Sequence, residues 1–218
     1  MQTLFIHIGL PKTASTSIQV TLSNHLDMLV NNGYFFRWMN NLDVKQLTQE
    51  INQAHSLGLN YILSEETLSP LVEGLDEVKN RLNFIKDLIS KTHYQNYKFI
   101  IYLRSQDELL ESWYTELIQQ GGEQSFNDFL RKQNTNDAFD YHKLISLLEN
   151  QFENKELIVR VFNKQLLVDE CPIKDFLSIF KLNDLNINPM KVNQSYSKQA
   201  LEVAWQVPLK LDSSCIKV

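Results

Sequence analysis

Residues 3–23, "TLFIHIGLPKTASTSIQVTLS", decide how this chain is read. An apolar run, "TLFIHI", ends at Gly9 as a strand buried on both faces would. The polar segment "GLPKTASTS" follows, and from Ser15 onward apolar residues recur at helical spacing: Ile18, Leu22, Leu26, Leu29 and Val30, up to Gly33. The stretch therefore predicts a strand, a tight loop and a helix. Such a loop aims backbone N–H groups out of a new helix N-terminus, where an anion is stabilised. Lys12 supplies a full positive charge, and Thr13, Ser15, Thr16 and Ser17 supply hydroxyls. The simpler alternative is an ordinary turn with a serine or threonine cap. One lysine and four hydroxyls within six residues favour the anion. The lysine precedes the hydroxyls and Gly9 stands alone, so the stretch does not follow the G-x-x-x-x-G-K-[ST] pattern of triphosphatases.

The same alternation continues downstream. Strands are predicted at "NYILS" (60–64), "YKFIIYL" (97–103) and "ELIVRVF" (156–162). Helices are predicted at 44–58, 75–93, 105–122, across "FNDFLRKQ" and "YHKLISLLENQF", and late at "PIKDFLSIFKL" and "SKQALEVAWQVP". The helix over 75–93 carries Leu75, Val78, Leu82, Ile85 and Ile89 on one stripe. This order predicts an α/β fold: a three-layer, P-loop-like domain with a mainly parallel central sheet flanked by helices. The 218 residues suit a single domain over 1–218, with 120–150 as a mobile helical insert.

Composition narrows the partners. The chain is 43% hydrophobic and 22% charged, as soluble globular proteins are, and its net charge of −5 argues against nucleic acid. Cys171 and Cys215 have neither metal-ligand nor disulfide-framework spacing. No transmembrane segment or basic leader is legible, so the cytoplasm is the expected location. The oligomeric state is left open.

Three polar landmarks share one topological position. "GLPKTASTS" follows the first strand, "SEE" (64–66) ends the second, and Arg104 follows the third. Open parallel sheets bind ligands beyond the carboxyl ends of their strands, so these residues are expected to meet in one cleft. Arg104 suits a forked grip on a phosphate, against the alternative of a surface ion pair with Asp107 or Glu108. Glu65 and Glu66 are adjacent carboxylates whose repulsion and burial would raise a pKa toward the range of a base. As consecutive strand residues they point opposite ways, so one is expected to face the cleft. The alternative is two acidic residues in the first turn of a helix. His7 reads as a core histidine, and His25, His55, His93 and His142 carry no motif. Trp38, Trp113 and Tyr114 read first as core aromatics.

On these residues the chain resembles the sulfotransferases that use 3′-phosphoadenylyl sulfate (PAPS), in particular bacterial members acting on carbohydrates. That family's loop runs roughly Pro-Lys-[Ser/Thr]-Gly-Thr-Thr after the first strand; here it is "PKTAST", with Ala14 in place of the glycine. An arginine after a later strand and a serine eight residues on form the second signature, matched by Arg104 and Ser112 in "LRSQDELLES". The resemblance implies PAPS as co-substrate, no metal, and a hydroxyl acceptor on a carbohydrate or glycolipid. It implies that Pro11, Lys12, Thr13, Ala14, Ser15, Thr16 and Ser17 surround the 5′-phosphosulfate, with Lys12 on the bridging oxygen. Arg104 and Ser112 would hold the 3′-phosphate, and Asn193, Ser195 and Tyr196 would add to the nucleotide side. Glu65, ahead of Glu66, matches the family's base in place. Two other readings stay open: a P-loop-like small-molecule kinase, and a nucleotide-binding protein without catalysis. If position 14 requires positive φ, alanine there costs stability.

Overall fold

The computed structural model describes residues 1–39, 43–66, 70–133, 140–152 and 156–190. The chain divides into two compact units, one of Met1–Arg104 with Asp137–Val192 and the other of Ser105–Asn136 with Asn193–Val218. The segment expected as an insert is thereby divided: its first part belongs to the second unit, and residues 141–151 belong to the first.

The first unit is a five-stranded sheet in the order β2-β3-β1-β4-β5. The strands are β1 (Thr3–Ile8), β2 (Tyr34–Trp38), β3 (Asn60–Glu65), β4 (Asn96–Leu103) and β5 (Glu156–Val161). Every neighbouring pair is parallel. β1 is the central strand, pairing Ile8 with Glu65 of β3 on one side and with Ile101 of β4 on the other.

Both faces are covered, giving three layers. Leu4, Ile6 and Ile8 lie in one core cluster with Leu47 and Ile51 of α3 (Val44–Ser56), Leu82 and Ile85 of α4 (Pro70–Ser90), and Leu144 and Leu148 of α7 (Tyr141–Gln151). Phe5 lies in the other with Ile18 and Leu22 of α1 (Ser15–Ser23), Leu29 of α2 (Leu26–Asn31), and Phe176 and Leu177 of α8 (Pro172–Ser178). Burial on both sides is why β1 reads as a continuous apolar run. Leu144 and Leu148 show that α7 is a core helix and not an insert.

Two elements depart from the sequence reading. The helix expected over 15–33 is two helices, because the chain breaks at Asn24 and His25, the latter at φ −125°. β2 was not expected. Its five residues follow Gly33, whose φ of 84° stops the helix and turns the chain into the sheet edge. β2 is fastened by charge: Arg37 Nε donates to Glu50 Oε1 at 2.9 Å, and the Tyr61 hydroxyl donates to the same carboxylate.

In the second unit α5 (Gln106–Gln119) packs on α6 (Phe126–Gln133) around Tyr114, Ile118 and Phe129. Trp113 lies edge-on to Phe129 at 5.7 Å, so Trp113 and Tyr114 serve this small core. Among the described residues no helix is long and apolar enough to cross a membrane.

One polar chain runs through the apolar interior. His7, Gln19 and Ser64 are all completely buried. Gln19 Nε2 donates to Ser64 Oγ at 3.0 Å, and Ser64 Oγ lies 2.8 Å from His7 Nδ1. The His7 ring also packs at an angle against Phe176, centroids 4.9 Å apart. Burial disfavours the imidazolium and lowers the His7 pKa to about 3. The unfolded chain therefore binds a proton that the folded chain refuses between the ordinary value of 6.5 and about 3. Stability lost across that window as pH falls amounts to at most about 1.4 kcal/mol per pH unit. His7→Phe is expected to flatten this acid limb in urea melts from pH 6.5 downward, and an unchanged slope would show that His7 is not the group titrating.

Candidate functional site

The loop begins where β1 ends. Gly9 N–H donates to the Glu65 carbonyl at 2.8 Å, continuing the ladder one step past the strand. A Cβ at Gly9 would stand 2.9 Å from Glu66 Cγ and 3.1 Å from Ser15 Cβ, so only glycine lets the loop and the end of β3 approach this closely. Lys12 at φ 64° and Ala14 at φ 60° then curl the backbone around Thr13. Leu10 gathers the curl, its carbonyl accepting from Thr13 Oγ1 at 2.6 Å and from Ser15 Oγ at 3.1 Å.

This assigns the hydroxyls differently from the sequence reading. Thr13 and Ser15 are buried and hold the loop's own carbonyl, so what they offer an anion is their backbone N–H groups. Thr16, half-buried, donates its hydroxyl to Glu66 Oε1 at 3.2 Å. Ile18 N–H returns to the Ala14 carbonyl at 3.0 Å, which starts α1. The N–H groups of Ser15, Thr16 and Ser17 thus form the first turn, where no intrahelical acceptor exists. An anion there gains about 0.3–1 kcal/mol from the helix dipole, more when partly buried. Pro11 and Lys12 are half-buried on the rim of the curl, and Ser17 is buried in the first turn.

The two glutamates separate as strand alternation requires. Ser64 joins His7 and Gln19, so Glu65 turns to the opposite face of the sheet, and its residue is 1% exposed. Glu66 turns back onto the loop. Burial and the neighbouring Glu65 charge raise the Glu66 pKa, and the Thr16 hydrogen bond opposes them. Of the two glutamates, Glu66 is the one whose carboxylate bonds the loop, through Thr16, while Glu65 is buried.

Arg104, the first residue beyond β4, also reaches the loop. Its Nη1 donates to the Lys12 carbonyl at 3.1 Å. Its guanidinium carbon lies 5.8 Å from the centroid of the Phe162 ring, and its own carbonyl accepts from the Tyr141 hydroxyl at 2.8 Å. Phe162 and Tyr141 are the residues that the motifs did not reveal. The signal for Phe162 lies in the strand ends: Leu103 pairs with Val161, so the next residues, Arg104 and Phe162, are neighbours. Tyr141, whose pKa burial pushes up to about 12, had no comparable signal.

The first unit therefore brings Lys12, Thr13, Ser15, Thr16, Ser17, Glu66 and Arg104 to one edge of the sheet. Ser112 lies half-buried on α5 in the second unit. Asn193, Ser195 and Tyr196 lie outside the described residues. His55 and His93, with ring centroids 5.8 Å apart, sit near the amino end of β4 and away from the loop's edge.

No protein-family model matches the chain. Over 80 residues, 37% of this chain and 21% of the relative, it is 34% identical to an uncharacterized protein of Archaeoglobus fulgidus. The matched stretch thus spans about a fifth of that relative's length. Among solved structures it is similar to polyphosphate kinase 2 from Arthrobacter aurescens TC1, at 10% identity and a TM-score of 0.39. That likeness covers 93% of this chain and 75% of the other.

Ala14 stands at φ 60°, in the left-handed region. A left-handed backbone costs an L-residue roughly 1–2 kcal/mol, from which glycine is exempt. Ala14→Gly is expected to stabilise the protein by about 1 kcal/mol, read as a shift in denaturation midpoint at unchanged m-value. A loss of stability would contradict the positive φ at this position.

Proposed function

We propose that this protein is a sulfotransferase that moves a sulfuryl group from PAPS to a hydroxyl of a carbohydrate or glycolipid acceptor. The observation that supports this most is the hydrogen bond from Arg104 to the Lys12 carbonyl, by which the two segments resembling the family's signatures meet on one rim. The donor's 5′-phosphate would lie on the first-turn amides of α1, with Lys12 at the bridging oxygen. As the acceptor oxygen bonds to sulfur, the bond from sulfur to the phosphate oxygen breaks, and Lys12 offsets the charge on the departing phosphate. The acceptor's proton passes to Glu66, the carboxylate against the loop. Such a transfer asks the protein mainly for position and electrostatic stabilisation, which Lys12 and oriented amides supply. Arg104 would read the 3′-phosphate while its bond to Lys12 keeps the loop in shape.

One observation favours a second reading, a small-molecule kinase. A first-turn hydroxyl bonded to a carboxylate at the end of the neighbouring strand, as Thr16 is to Glu66, is the pair that holds magnesium in nucleotide triphosphatases. The two readings part on the donor. Transfer of labelled sulfate from PAPS in the presence of a chelator supports the first, and transfer from ATP that requires magnesium replaces it. Tight nucleotide binding without transfer from either donor would leave a binding protein.

Lys12→Ala is expected to lower turnover by about 10²–10³ with little change in nucleotide affinity, as loss of a transition-state charge partner does. An unchanged rate removes Lys12 from the chemistry. Arg104→Ala is expected to weaken adenosine 3′,5′-bisphosphate by about 1.5–3 kcal/mol and adenosine 5′-phosphate much less, by calorimetry. Equal losses would mean that Arg104 acts only by anchoring the loop.

A further inference from the structure

Glu66 is a carboxylate placed where an incoming anion has to go. Its stem lies against Gly9, and its Oε1 takes the hydroxyl proton of Thr16, whose N–H belongs to the first turn of α1. An oxyanion held by those first-turn amides would place its charge beside this carboxylate, and neighbouring like charges disfavour ionisation. We propose that an oxyanion entering this loop makes the ionised Glu66 a stronger base, coupling donor binding to proton uptake by Glu66 as pH falls toward its new midpoint. This rests on the reading of the loop as an oxyanion site and adds how that site is regulated.

The surroundings of Glu66 make it the group that responds. From the loop and α1 it meets Gly9 and Thr16, neither of which titrates near neutrality. From β3 it feels the charge of Glu65. Lys12 and Arg104 are the cations of the same rim, joined through the Lys12 backbone carbonyl. Half-buried and beside one carboxylate already, Glu66 has a raised pKa before any ligand arrives. A second negative charge acts in the same direction, and engaging Thr16 with the ligand would remove the hydrogen bond that opposes it. The proton comes from solvent and no other bond changes. Above its new midpoint Glu66 is ionised and ready to accept the acceptor's proton; below it, the donor binds with Glu66 neutral.

Inorganic sulfate tests this, because sulfate itself does not titrate between about pH 5 and 8. Binding is followed by the amide NMR shifts of residues 13–17, and Glu66 by its carboxyl carbon shift. Sulfate is expected to bind more tightly as pH falls, by up to tenfold per pH unit. Saturating sulfate is expected to raise the Glu66 midpoint by about one unit or more, as reciprocity requires. In Glu66→Gln, sulfate affinity is expected to be flat with pH and, near pH 8, higher than in the wild type. Sulfate binding whose pH dependence is the same in wild type and Glu66→Gln would overturn the proposal. So would a Glu66 midpoint that sulfate does not move, which needs only the wild-type protein. If folded wild type shows no sulfate binding at any pH, the oxyanion reading of the loop itself falls, a result distinct from binding without proton uptake.

Discussion

The hydrogen bond from Gly9 N–H to the Glu65 carbonyl is the constraint on which the site depends. It ties the exit of the central strand to the last residue of its neighbour, so the loop after β1 and the carboxylates after β3 share one origin. Gly9 has no side chain at the point of closest approach, and Glu66 and Ser15 occupy the space one would need. The loop then closes on itself through the Leu10 carbonyl, which takes two buried hydroxyl donors.

Beneath it, the chain of His7, Ser64 and Gln19 joins the three elements that carry the site: β1, β3 and α1. Each of these residues is fully buried, and an unpaired polar group at such depth costs on the order of 1–3 kcal/mol. The pairing therefore holds α1 in one rotation against the sheet. It also sets the alternation by which Glu65 turns to the opposite, buried face and Glu66 returns to the loop. The charge pattern above follows from this. The Glu66 carboxylate accepts from the Thr16 hydroxyl of the loop, and the Arg104 guanidinium donates to the Lys12 backbone carbonyl.

Much of this was legible in the residues. β1, β3 and β4 announce themselves as apolar runs because a parallel sheet covered on both faces excludes most polar side chains from its middle, and β5, an edge strand with Val159 and Val161 exposed, is legible from its β-branched residues. Gly9, Lys12 and Arg104 fall at strand ends, which is where such sheets place ligands. β2 escaped notice because it is short and at the sheet edge, and the break between α1 and α2 escaped because the apolar spacing runs through it. The hydroxyls of Thr13 and Ser15 looked like ligand donors, since a sequence cannot say whether a hydroxyl meets a ligand or its own backbone. The partition into two units, with α7 in the core of the first, was likewise invisible to a pattern that sees only amphipathic helices.

The residues by themselves determined the α/β class, four of the five strands in their order, and the chemical content of the edge: one loop lysine, one strand-end arginine and a pair of glutamates. Those follow from periodicity and composition, which act locally. Tertiary structure alone decided which glutamate faces the loop, that Arg104 reaches Lys12, that Phe162 and Tyr141 support it, and that position 14 is left-handed. Each of these depends on strand register and on contacts between residues far apart in the chain, and no local rule encodes where such partners will meet.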